Sequence, residues 1–89
     1  ILDLRGNPGG YLDQALSISN LFLPQGAEIA SVRGRGTDPQ VYSARERPSA
    51  PDLPILILID QFSASAAEIV AGALQDHDRA LILGTTSFG

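Results

Sequence analysis

The 89-residue chain has no cysteine and no lysine, and its only histidine is His77. Without cysteine there can be no disulfide and no thiolate metal site. Without lysine all six cations are arginines, at positions 5, 33, 35, 45, 47 and 79, so any chemistry that needs an amine base must find it outside these residues. No apolar run approaches the roughly 20 residues that span a bilayer. The net charge of −4 argues against a phosphate-binding surface, since nucleic-acid binding needs clustered cations. The 44% apolar content is that of a globular interior and excludes a disordered chain. The ends fall beside the apolar runs Ile1 to Leu4 and Ala80 to Leu83 rather than in polar linkers. The expectation is therefore a piece of a larger domain.

The pattern alternates between strand and helix. Ile1 to Leu4 reads as a strand end, and Gly6-Asn7-Pro8-Gly9-Gly10 as a tight turn. From Leu12 the spacing is helical, with Leu12, Ala15, Leu16, Ser19, Phe22 and Leu23 on one face, and Pro24-Gln25-Gly26 ends it. Glu28 to Val32 predicts a short strand. Arg33 to Pro51 is a polar excursion, with a hairpin expected around Val41-Tyr42-Ser43. Leu53 to Ile59 is a continuous apolar run of the kind buried on both faces. A second helix carries Ala66, Ile69, Val70, Ala73 and Leu74 on its buried stripe and ends near Asp76-His77-Asp78. Leu81 to Leu83 predicts a last buried strand. Such alternation means an α/β architecture with helices packed on a sheet.

In α/β folds, sites gather at strand-to-helix turns, and two turns here carry unusual residues. In the first, Arg5 to Gly10, glycines let backbone N–H groups face outward, where they can hold an anion or a developing oxyanion. The simpler alternative is a helix entry and nothing more. A phosphate-binding loop is excluded, because no Gly-Lys-Ser/Thr ending follows. In the second, Asp60 to Glu68, Ser65 stands at a helix start, where the free N–H groups favour negative charge. On residue types alone the favoured reading of Ser65-Ala66-Ala67-Glu68 is a capping box.

A serine nucleophile needs a base. His77 lies twelve positions further along the same helix, about 18 Å away at the helical rise, which excludes a serine–histidine–aspartate triad within the chain. Asp76, His77 and Asp78 point in different directions and do not form a metal site. Asp3 and Arg5 flank a strand end and are expected to pair, orienting the glycine turn.

Three segments in register carry a family resemblance. Leu2-Asp3-Leu4-Arg5-Gly6-Asn7-Pro8-Gly9-Gly10 resembles the Asp-Leu-Arg-x-Asn-x-Gly-Gly signature of the carboxy-terminal processing (tail-specific) proteases. Ser63-Ala64-Ser65-Ala66-Ala67-Glu68, continuing to Asp76, is similar to the block that holds their nucleophile. Arg79-Ala80, Gly84 and Ser87-Phe88-Gly89 resemble the run that leads to their catalytic lysine. The one departure in these segments is Thr85, where many members carry glutamate.

The resemblance implies a Clp-protease/crotonase-like core of strand-strand-helix units, of which residues 1–89 are a part. The PDZ domain would lie upstream and the catalytic lysine directly after Gly89. It implies Ser65, and not Ser63, as the nucleophile of a serine endopeptidase that processes protein C-termini through a serine–lysine dyad and an acyl-enzyme. The oxyanion hole would use the Ala66 N–H and one from the glycine turn, Gly10 first and Gly9 second. No metal or organic cofactor is implied, and no nucleic acid. The partners would be protein or peptide substrates with accessible C-termini, in an extracytoplasmic compartment. Two rival readings share the fold: a catalytically dead ligand-binding module, and a crotonase-like hydratase or isomerase of acyl thioesters.

Overall fold

Pro54 blocks the apolar run until Ile55, so the central strand is shorter than the run itself. The computed structural model describes residues 1–32 and 40–89. Its elements in chain order are β1 (Leu2–Asp3), α1 (Leu12–Asn20), β2 (Glu28–Val32), β3 (Gln40–Ser43), β4 (Ile55–Ile59), α2 (Ala66–Asp76) and β5 (Ala80–Gly84). β4 is the middle of a three-stranded parallel sheet, flanked by β1 and β5. Leu2 and Asp3 register with Ile57 and Leu58, and Ile55 through Ile59 with Ala80 through Gly84. β2 and β3 form a separate antiparallel pair with an irregularity between Glu28 and Ala30. The expected hairpin around Val41-Tyr42-Ser43 is therefore present in its second strand, while residues 33–39 lie outside the described residues.

Leu23, Ile57 and Leu74 have no solvent exposure and mark the centre of the core. Around them Ala15 of α1 and Ala66, Ala67, Val70, Ala71 and Ala73 of α2 are buried. The stripe on α2 is wider than its spacing suggested, because α1 packs on one flank of the helix and the sheet on the other. Small alanines let the helices approach closely.

One expectation fails. β5 is not a buried strand: Leu81 and Leu83 are 69% and 57% exposed, and only Ile82 between them is half-buried. β4 has one fully buried residue, Ile57, rather than two buried faces. Among the described residues the helices cover a single face of the sheet, so alternate side chains face away from them. Leu53, ahead of β4, is exposed as well.

Arg79 closes the far end. Its Nε donates to the Phe22 carbonyl at 2.9 Å and its Nη2 to the Ala50 carbonyl at 2.8 Å, with the guanidinium 5.8 Å from the Phe22 ring centroid. His77 caps the C-terminus of α2, its Nε2 lying 2.6 Å from the Glu28 carbonyl oxygen. It serves structure at the end of the helix opposite Ser65.

Candidate active site

Both glycine- and serine-bearing turns leave the same end of the parallel sheet, because β1 and β4 run side by side. Past their last paired residues the two turns stay joined by hydrogen bonds. The Leu4 N–H donates to the Leu58 carbonyl at 2.8 Å, and the Ala64 N–H to the Asn7 carbonyl at 3.0 Å. The Ser63 hydroxyl donates to the Leu4 carbonyl at 2.7 Å and accepts from the Asp60 N–H at 3.1 Å. Ser63 is completely buried. Ser63→Ala is expected to cost about 1–3 kcal/mol, since it leaves the Asp60 N–H without its acceptor and removes one of two hydrogen bonds to the Leu4 carbonyl. A urea titration should show the midpoint falling, with any loss of function tracking the folded fraction.

Gly9 makes the closest contact between the turns. A Cβ there would lie 2.8 Å from the Ala64 carbonyl oxygen, the Ala66 nitrogen and the Ser65 Cβ, and its φ is +103°. No side chain fits, so the glycine is required for the approach. The Gly9 N–H is already engaged, donating to Asn7 Oδ1 at 2.7 Å. This is the short-range bond an asparagine makes two residues on, and the sequence alone could have shown it. Among the described residues the N–H groups of Gly10 and Ala66 donate to no backbone or side-chain acceptor.

Ser65 is exposed and precedes the first turn of α2. Its backbone, φ 55° and ψ −121°, is far from the extended conformation of an ordinary N-cap. A non-glycine residue there is strained, a state found where function holds it in place. The capping box anticipated from the residues is present, but it is lopsided. Glu68 Oε1 accepts from the Ser65 N–H at 2.9 Å, whereas the Glu68 N–H donates to the Ser65 carbonyl, also at 2.9 Å. The Ser65 side chain also faces the Glu68 N–H in that box, but without the geometry of a well-formed hydrogen bond.

Glu68 reaches further than a cap needs to. Its Oε2 accepts from the Ser87 hydroxyl at 2.7 Å and from the Gly89 N–H at 2.8 Å, while Phe88 N–H donates to the Ser63 carbonyl at 2.9 Å. One carboxylate thus joins Ser65 to the segment 87–89. The Ser87 hydrogen bond, together with those from Ser65 and Gly89, holds the Glu68 carboxyl below its ordinary pKa against the opposing effect of burial. Asp3 and Arg5 pair as expected, at 2.9 Å, and the Arg5 hydrogen bonds bring the Asp3 pKa down to about 2. The pair is half exposed. The glycine turn is tied down by Asp60, whose Oδ1 accepts from the Gly6 N–H at 3.0 Å. Asp60 went unnoticed in the sequence because its partner lies 54 positions away.

A small apolar cavity of about 100 Å³ opens beside the two free N–H groups, lined by residues that include Tyr11, Ala15, Ile18, Ala66 and Val70. A larger one of about 480 Å³ lies between α1 and residues 42–49. It is remote from both turns, and its Asn20 is already bonded to the backbone of residues 45 and 46. The chemically distinctive place is the smaller cavity, where two helix N-termini, a strained serine and unpaired donors converge.

Known proteins similar to this chain agree with the sequence motifs. The chain is 56% identical over its whole length to a carboxy-terminal-processing protease of Bartonella bacilliformis, and covers 20% of that protein. It is 44% identical over its whole length to a carboxyl-terminal-processing protease of Synechocystis, again covering 20%. In solved structures, the photosystem II D1 C-terminal processing protease superimposes with a TM-score of 0.87 at 31% identity. That match covers 99% of this chain and 22% of the other. The chain thus spans about one fifth of the length of the relatives it matches. The family model of peptidase family S41 matches residues 1–89, and the chain belongs to that family.

Proposed function

We propose that the protein containing this chain is a serine endopeptidase that processes protein C-termini, with Ser65 as the nucleophile. The observation that carries the reading is the backbone of Ser65. It is strained, it stands exposed at the N-terminus of α2, and its side chain makes no well-formed hydrogen bond there. Helix capping does not account for the strain, whereas a nucleophile on a sharp strand-to-helix turn does.

In this mechanism Ser65 Oγ attacks the scissile carbonyl. The N–H groups of Ala66 and Gly10 receive the developing oxyanion, and the small cavity takes an adjoining apolar side chain. Gly10 is preferred to Gly9 as the second donor because Asn7 already occupies the Gly9 N–H. The base is a lysine following Gly89. Glu68 supports that placement, since it brings Gly89 to the first turn of α2. A lysine amine placed there, once desolvated in a closed site, could take the serine proton. The lysine passes that proton to the leaving amine as the C–N bond breaks, and then takes a proton from the water that hydrolyses the acyl-enzyme and frees Ser65. The part played by the PDZ domain in choosing substrate C-termini, and a location outside the cytoplasm, belong to the same reading.

The test is direct. The full-length protein is incubated with a stable domain bearing an unstructured apolar tail, and the products are weighed by mass spectrometry. Fragments lacking the tail are expected. An unchanged mass after long incubation would leave the ligand-binding or acyl-thioester readings in its place.

A further inference from the structure

We infer that Asp60 is the positioning residue that sets the spacing between the two oxyanion donors, an assignment that rests on the peptidase reading above. Asp60 directly follows β4, where sheet pairing with β1 has ended, and it adds a side-chain tie to the backbone hydrogen bonds that join the turns. A single oxygen, Oδ1, accepts from the Gly6 N–H of the glycine turn and from the Phe62 N–H of the serine turn, both at 3.0 Å. Its own N–H donates to the Ser63 hydroxyl, which in turn grips the Leu4 carbonyl. Asp60 is therefore the charged side chain that bridges both turns among the described residues.

The bridge lies where leverage is greatest. Gly6 opens the turn whose far end holds Gly10, and Phe62 opens the turn whose far end holds Ala66. Shifting one entry against the other moves the donors relative to each other, and a misplacement of about 1 Å in such a site can cost about 100-fold in rate. The Gly6 hydrogen bond, followed by those from Phe62 and Ser63, also holds the Asp60 carboxyl below its ordinary pKa. The anion is thus the form that fits, although the geometry asks for one well-placed acceptor rather than for charge.

That distinction makes the inference testable in the full-length protein with a quenched fluorescent peptide. Asp60→Ala is expected to lower kcat by about 10- to 100-fold at equal folded protein, with KM changed less than about threefold, since the N–H pair acts on the transition state. Asp60→Asn should recover most of the wild-type kcat, because its amide oxygen can accept from both N–H groups. Asp60→Glu keeps the charge but carries it one methylene further out, and should behave like the alanine variant. If Asp60→Ala fails to fold, the Asn and Glu variants decide between placement and charge. An Asp60→Ala kcat equal to wild type, or Asp60→Glu matching or exceeding Asp60→Asn, overturns the assignment. A wild-type protein with no turnover overturns the peptidase reading and this one with it. An active wild type silenced by Ser65→Ala leaves the peptidase reading standing whatever Asp60 does.

Discussion

Ser65→Ala in the full-length protein is expected to abolish peptide hydrolysis while leaving the fold intact. Loss of a serine nucleophile removes about six orders of magnitude in turnover. Loss of an N-cap side chain costs about 1 kcal/mol, and here less, because the hydroxyl makes no proper capping bond. Ser65→Gly sharpens the contrast. Glycine accepts φ 55° without a steric penalty, and relief of a strained backbone is worth about 1–3 kcal/mol. That variant should be as inactive as Ser65→Ala and at least as stable as the wild type. A nucleophile held in a costly conformation predicts this pairing of lost activity with retained or increased stability. Hydrolysis rates and unfolding midpoints on the same samples check it. Near-normal cleavage by either variant would remove Ser65 from the mechanism.

Gly9→Ala is expected to be the most damaging substitution outside the nucleophile. Its Cβ would press on the Ala64 carbonyl, the Ala66 nitrogen and the Ser65 Cβ at 2.8 Å. These are backbone atoms and a side-chain stem, and none can rotate away. The positive φ adds strain of its own. The turns must therefore separate, with an expected loss of at least about 100-fold in kcat and about 1–3 kcal/mol of stability. Gly72→Ala supplies the control. It sits within α2 with open space around its Cβ position, so the change should be neutral or stabilise by up to about 1 kcal/mol. Equal kinetics for the two variants would mean that the close approach at Gly9 has no bearing on catalysis.

Much of this was legible in the residues. The helical spacing from Leu12, the stops at Pro24 and Gly26, and the helix after Ser65 follow from local preferences that act within a few residues. The asparagine two positions before Gly9 and the serine three before Glu68 likewise announce short-range bonds. The nucleophile could be picked from Ser63 and Ser65 only through the family motif, since both hydroxyls look alike in a string of letters. In the fold they differ: Ser63 is buried and doubly bonded, Ser65 exposed and strained.

What the sequence determined by itself was therefore the order of elements, the two turns and the residue types they hold. The tertiary structure alone decided that the turns touch at Gly9 and are braced by Asp60. It also decided that Glu68 spans from Ser65 to Gly89. The contacts at Gly9 and Asp60 depend on parallel strands β1 and β4 lying side by side although 51 residues separate Asp3 from Ile55. Periodicity and propensity report only local backbone preference. Contacts between distant segments follow from the burial of Ile57, Leu23 and Leu74 in one core, which is a property of the folded chain as a whole. The exposed faces of Leu81 and Leu83 obey the same logic. An apolar run marks a strand, but only the packing of helices on the sheet decides which of its faces is covered.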